Sequence, residues 1–163
     1  MKYYFAYGSS VKVDSFGKAM SKAGFGDGFK VLGIGRIDGY KLAFTRERRD
    51  GTGALDMVIS EGDYVLGLVY EVVDEAMVAI DKREGHPNSY MKTGIDVKLE
   101  EAEQELHVLT YLVVDKKLDE VCPSEDNFKK VLLGMKEKFP KEYINEYYIG
   151  HVNAKFNEKY KLL

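Results

Sequence analysis

The chain has 163 residues, 45% of them apolar and 31% charged, which is the composition of a soluble globular protein and the length of one domain, 1–163. That length buries roughly two thirds of the unfolded surface, so no disulfide or metal staple is needed to fold it. A net charge of -3 offers no field for nucleic acid or an anionic membrane, and no apolar run approaches the ~18 residues of a membrane span. Cys122 is the single cysteine and cannot form an intrachain disulfide, while Met-Lys-Tyr-Tyr-Phe-Ala-Tyr-Gly at the N-terminus turns polar too early for a signal peptide. Both features point to a cytoplasmic protein.

Residues 3–7 are aromatic-rich and stop at Gly8-Ser9-Ser10, which predicts a strand running into a tight turn. Val13, Phe16, Met20 and Ala23 recur at helical spacing before Gly24 and predict a short helix. Residues 29–45 predict one or two strands broken around Asp38-Gly39. A polar loop follows over 46–53, in which Arg46, Arg48 and Arg49 stand beside Glu47 and Asp50 and read as solvated. A strand over 55–60, a turn at Glu61-Gly62-Asp63 and a buried strand over 64–73 come next. Gly67 sits in the middle of that last strand, where another backbone or a ligand can approach closely. Asp74 is expected to cap a helix reaching Glu84, ended by Gly85 and Pro87. Residues 90–99 and 105–114 predict two more strands. Pro123-Ser124 opens a helix with Phe128, Val131, Leu132, Met135 and Phe139 on its inner face, and a last helix after Pro140 carries Tyr143, Ile144, Tyr147 and Tyr148. The expected fold is α+β: six or seven mostly antiparallel strands in a curled sheet or small barrel, with three to four short helices.

Elimination narrows the chemistry. His86, His107 and His151 have no metal-binding spacing, no phosphate-binding loop is present, and Gly33-Ile-Gly35 and Gly24-Phe-Gly26 lack the third glycine of a dinucleotide fingerprint. No GxSxG elbow exists, and nothing near Cys122 in sequence would activate its thiol. Carboxylates, hydroxyls, phenols and backbone amides remain, so neither metal nor cofactor is expected.

Two places could use them. The turn Tyr7-Gly8-Ser9-Ser10 either closes the strand or presents consecutive N–H groups to a carboxylate or oxyanion. Met77, Ile80 and Glu84 fall at i, i+3 and i+7, which puts the Glu84 carboxylate on an apolar face in the last helical turn. Partial burial and the adverse helix dipole would both raise its pKa, as a general base requires. The competing reading pairs Glu84 with Lys82 or Arg83 and bends it into solvent. Twelve tyrosines and no tryptophan add a third feature: phenols such as Tyr7, Tyr90 and Tyr111 can line a pocket with apolar walls and polar tips.

Four motifs in unbroken order over residues 3–148 resemble the γ-glutamyl cyclotransferase family. Tyr4-Phe5-Ala6-Tyr7-Gly8-Ser9 resembles its opening signature YFAYGSN. The run from Gly62 through Gly67 to Tyr70 resembles its GDxVxGVV strand, and Ile80-Asp81-Lys82-Arg83-Glu84-Gly85 its LDxxEG, with Tyr90 a few residues on. Thr110-Tyr111-Leu112 and Pro123-Ser124 through Lys130 resemble the later strand and helix. Two positions depart: Ser10 stands for the signature's final Asn, and Phe128 for a substrate-binding tyrosine. The resemblance implies a small-molecule γ-glutamyl substrate, with Glu84 as general acid/base. Tyr4, Phe5, Ala6, Tyr7, Gly8, Ser9, Ser10, Tyr90, Tyr111 and Phe128 would bind it. The products would be 5-oxoproline and a free amine or amino acid, made by a monomer or homodimer without metal or cofactor. A non-catalytic module binding a γ-glutamyl compound or an amino acid on the same fold is the alternative, and an enzyme releasing an alkylamine or a lysine ε-amine is a second.

Overall fold

The computed structural model describes residues 1–156. Five strands, β1 (Lys2–Ala6), β2 (Phe29–Glu47), β3 (Gly53–Val72), β4 (Tyr90–Leu99) and β5 (Gln104–Val113), close into a barrel in the order β1-β3-β2-β4-β5. Neighbours are antiparallel except β1 and β5, which run parallel with Tyr4 opposite Leu109. This is the expected α+β barrel with fewer and longer strands. The segments on either side of Glu61-Gly62-Asp63 are one strand, and so are those on either side of Asp38-Gly39.

The register explains the difference. Asp38 pairs with Tyr64 and Tyr40 with Ile59, so residues 60–63 of β3 bulge opposite Gly39. Gly39 (φ +84°) and Gly62 (φ +87°) take the left-handed conformations that turn residues favour, and Ser60 donates to Asp63 across the bulge at 2.5 Å. Turn chemistry here bends a hairpin and leaves it intact. The expected polar loop likewise shrinks to residues 48–52, where the Arg48 N–H donates to Thr52 and Gly51 supplies a positive φ.

Period-2 alternation sends β1 side chains to two apolar clusters. Phe5 and Tyr7 point into the cluster that fills the barrel and extends beneath the helix α3 (Glu125–Lys138) through Phe128, Val131 and Met135. Tyr4 and Ala6 point the other way, against Phe16 and Met20 of α1 (Val13–Lys22) and Ile80 of α2 (Met77–Arg83). Ser124 caps α3, its Oγ accepting from the Asn127 N–H at 3.1 Å. Asp74 makes no such cap; its carboxylate pairs with the N-terminal amine at 2.8 Å, and a 3-10 turn, Asp74–Ala76, leads into α2. After Pro140 the chain is helical as α4 (Lys141–Tyr143), a π-helical turn (Ile144–Ile149) and α5 (Gly150–Lys155). Among the described residues no helix is long and apolar enough to cross a membrane.

Gly67 matters because β1 and β3 approach closely there. A Cβ at Gly67 would lie 2.5 Å from the Phe5 ring and 2.8 Å from the Ala6 carbonyl oxygen. The close approach is to the strand that leads into the Tyr7–Ser10 turn. Gly67→Ala is therefore expected to cost roughly 1–3 kcal/mol through overpacking, read as a lower urea midpoint at unchanged slope; an unchanged midpoint would mean that the Phe5 ring yields freely.

Candidate active site

Topology gathers the site at one end of the barrel. Because β1 and β5 are parallel, their C-terminal ends meet there, with the starts of β3 and β4 and the end of β2. A cavity of about 620 Å³ opens at this end. It is lined from β1 and its turn by Tyr4, Phe5 and Tyr7–Ser10, from β4 and β5 by Tyr90 and Tyr111, and from the end of α2 by Glu84. Two hydrogen bonds lock the parallel pair: Thr110 Oγ1 donates to the Phe5 carbonyl at 2.8 Å, and the Tyr7 hydroxyl to the Tyr111 carbonyl at 2.5 Å.

Glu84 is held by the way α2 stops. It is the C-cap residue, and Gly85 follows with φ +66°. The Gly85 N–H donates to Lys82 O at 3.2 Å and the His86 N–H to Asp81 O at 2.9 Å, the paired bonds of a Schellman turn that only a left-handed residue at 85 permits. The half-buried carboxylate thus points toward the barrel mouth. Its Oε1 accepts from the Tyr4 hydroxyl at 3.1 Å, and among the described residues it forms no salt bridge with Lys82 or Arg83. Burial pushes its pKa up, against the lowering pull of the Tyr4 hydrogen bond and of the Arg83 and Arg46 charges.

Four phenols surround this carboxylate, and each has its proton committed to an acceptor of the protein. Tyr4 donates to Glu84, Tyr7 to the Tyr111 carbonyl, Tyr90 to the Leu55 carbonyl at 2.8 Å and Tyr111 to Asp81 Oδ1 at 2.5 Å. Burial, reinforced by the negative charge of Glu84, raises the pKa of all four and keeps them protonated. Their oxygens therefore retain only lone pairs for a ligand, which suits an ammonium group beside Glu84.

Most of the sequence-expected residues meet here, but two do not line the cavity. Ala6 packs against the α1 and α2 side of β1. Phe128 is fully buried, its ring stacked on Tyr148 at 4.8 Å and 8°. It packs in the core with Val131 and Met135, and on a helix turning about 100° per residue α3 shows the cavity Asn127, Lys130 and one side of Val131 instead. Ser10 is also buried but reaches the site, its Oγ accepting from Arg83 Nε at 3.3 Å. Sequence reasoning missed the cationic wall: Arg46, Arg48, Arg83 and Lys130 all line the cavity. The continued pleat of β2 was the available signal for Arg46, whose Nη2 donates to Ser89 Oγ at 3.3 Å and whose guanidinium lies over the Tyr90 ring at 5.5 Å. Among the described residues no group of three or more His, Cys, Asp or Glu side chains is placed to hold a metal ion.

The family model described as γ-glutamyl cyclotransferase, AIG2-like, matches residues 4–130. The chain belongs to that family. Among solved structures it is similar to YkqA from Bacillus subtilis, with a TM-score of 0.81 at 27% identity, over 94% of this chain and 55% of that one. It is also similar to a γ-glutamyl cyclotransferase, with a TM-score of 0.78 at 22% identity, over 90% of this chain and 85% of that one. An uncharacterized protein from Homo sapiens gives a TM-score of 0.78 at 23% identity over the same shares. These likenesses show a shared fold. Comparison with curated protein sequences returned no match. Family membership makes this chain a cyclotransferase-like protein for a small molecule.

The raised pKa of Glu84 has a consequence for stability. A carboxyl whose folded pKa lies above its unfolded value binds its proton more tightly when folded, so stability falls as pH rises from the unfolded toward the folded pKa. The cost is fully present above the folded pKa and absent below the ordinary glutamate value. Glu84→Gln retains the acceptor for Tyr4 and removes the charge. Its Tm is expected to exceed that of the wild type at pH 7, with the gap closing as pH drops below the ordinary glutamate value; a gap independent of pH would contradict the assigned burial.

Proposed function

We propose that the protein is a γ-glutamyl cyclotransferase that releases an amine from a γ-glutamyl amide by intramolecular attack. The observation that carries this reading is a half-buried carboxylate, Glu84, with a raised pKa and one oxygen held by Tyr4, facing a cavity rimmed by the Tyr7–Ser10 turn. The whole chain is taken to act as one domain, in the cytoplasm.

The substrate's α-ammonium would sit against Glu84 Oε2 and the phenol oxygens. Glu84 takes one proton from it, and the freed amine attacks the γ-carbonyl carbon of the same molecule. A C–N bond forms, a five-membered ring closes, and the carbonyl oxygen gathers negative charge. Backbone amides of the Tyr7–Ser10 turn are suited to that oxygen or to the α-carboxylate, because the first N–H groups of a helical turn have no partner within it. Collapse of the tetrahedral intermediate breaks the original amide bond, and the proton on Glu84 passes to the departing nitrogen. The ring nitrogen gives up its second proton to the carboxylate so regenerated, which passes it to the released amine or to water. The products are 5-oxoproline and the free amine. The nucleophile belongs to the substrate, so the protein supplies conformation and a proton relay through Glu84, and positioning carries much of the rate.

The balance of forces on Glu84 sets the pH range. Burial raises its pKa above the ordinary glutamate value, and the Tyr4 hydroxyl and the Arg83 and Arg46 charges oppose that rise. Incubation with a panel of γ-glutamyl amides tests the reading through 5-oxoproline and the released amine. Glu84→Gln is expected to lower kcat by about 10²- to 10⁴-fold while retaining ligand binding. In Tyr4→Phe the pH–rate midpoint should move upward, since a hydrogen bond that lowers the Glu84 pKa is lost. A Glu84→Gln protein with near wild-type turnover would overturn the mechanism, and binding without product across the panel would leave a ligand-binding module.

A further inference from the structure

The cavity carries more positive charge than the proposed reaction uses. Five cations line it, Arg46, Arg48, Lys82, Arg83 and Lys130, against three carboxylates, Asp50, Glu84 and Asp126. Among the described residues no salt bridge engages any of the five cations. Arg83 and Arg46 are anchored on neutral hydroxyls, those of Ser10 and Ser89. Asp50 Oδ1 accepts from the N–H and hydroxyl of Thr52, at 2.9 and 2.6 Å, and these bonds, with a smaller pull from the Arg48 charge, lower its pKa without an ion pair to Arg48 forming. Asp126 stands one turn before Lys130 on α3 without reaching ion-pair distance.

Position divides the cations between the two ends of a γ-glutamyl compound. Arg83, on the Ser10 hydroxyl, stands beside the turn that suits the glutamyl α-carboxylate. Arg46 lies close enough to Glu84 to lower its pKa and offsets that charge. Lys82, at the end of α2, is exposed, which leaves Arg48, from the loop after β2, and Lys130, from α3, over on the cavity wall. They come from separate elements, and Lys130 is half-buried with Arg48 and Arg83 near enough to depress its pKa beyond the effect of burial. Like charges brought together with no ion pair to a carboxylate cost stability, and a bound anion removes that cost. A neutral leaving group would leave both unpaired.

Resting on the proposed cyclotransferase reaction, we propose that the leaving amine is the amino group of a dicarboxylic amino acid, whose two carboxylates are taken by Arg48 and Lys130. Such a leaving group supplies one carboxylate to each cation. This makes Arg48 and Lys130 specificity-determining residues, acting on the part of the substrate that does not react.

The test compares γ-glutamyl-glutamate with γ-glutamyl-glutamine, which share a shape and differ by one carboxylate. The wild type is expected to favour the glutamate compound by about tenfold in kcat/KM at low salt, the scale of one charge-assisted hydrogen bond. Added salt should shrink the ratio, because Arg48 is exposed. Arg48→Gln and Lys130→Gln should each reduce the ratio several-fold, and the double variant should bring it close to one. A ratio near one in the wild type, or one unmoved in the double variant, overturns the proposal while leaving the reaction itself in place. If neither compound yields 5-oxoproline, the reaction falls, and calorimetric titration of both dipeptides into the same protein decides the specificity. Tighter binding of the glutamate compound then upholds the Arg48–Lys130 site, and equal binding or none overturns it.

Discussion

The parallel pairing of β1 with β5 is the constraint from which the site follows. Every other strand contact in the barrel is antiparallel, and hairpins alone would leave β1 as an edge beside β3. Closing the sheet on β5 removes that edge and brings the ends of two distant strands together. The contact has little backbone register behind it, with Tyr4 opposite Leu109, so side chains complete it. Thr110 donates to the Phe5 carbonyl and Tyr7 to the Tyr111 carbonyl, both in buried surroundings where an unmade hydrogen bond would be costly. Gly67 serves the same closure from the other side, since only a residue without a side chain lets Phe5 sit over β3.

Once the barrel is closed, electrostatics at its mouth follows from burial. Glu84 is lifted by desolvation and restrained by Tyr4, Arg83 and Arg46, so its proton affinity reflects opposing effects of comparable kind. The tyrosines around it gain from the same burial. Their protons are committed to fixed acceptors, which converts four amphoteric hydroxyls into a set of oriented acceptors. Asp81 takes part in this arrangement without lining the cavity: it accepts from Tyr111 through one oxygen and pairs with Lys92 through the other, at 2.9 Å. A carboxylate so satisfied holds its phenol in one orientation.

Two carboxylates, Asp56 fully buried and Glu120 partly so, tie the frame behind the cavity. Asp56 has no exposed surface and accepts from Thr45 Oγ1 at 2.7 Å and from the Met57 and Val113 N–H groups at 2.9 and 3.1 Å, while pairing with Lys116. It thereby joins β2, β3 and β5 where their ends form the mouth. Glu120 accepts from the Phe44 N–H and from His151 Nε2, both at 2.7 Å, and so fastens α5 to β2. Each is costly to bury alone and stable only as a fully partnered group. The aromatic packing of Phe128 on Tyr148 belongs to this same support, beneath α3.

Local chemistry was sufficient to read a good part of this from the chain. The apolar stripe of α1, the Ser124 cap of α3, the ends of β4 and the Gly85 stop that positions Glu84 are decided by residues within a few positions of one another, and short-range physics carries them. The placement of Glu84 on an apolar face is of that kind. Other features depend on partners far along the chain. Turn residues at 38–39 and 61–63 became a bulge because each strand's alternative was a long partner already in register. Phe128 went to the core because Tyr148, twenty residues on, offers it a stacking face. Arg46, Arg48 and Lys130 resemble ordinary solvated cations until closure of the barrel puts them around one cavity with few anions. The sequence by itself determined the helices, their stops and the family motifs, since these rest on spacing and backbone preference; only the tertiary structure decided which turns became bulges and which charges share one cavity, because that depends on distances no local pattern encodes.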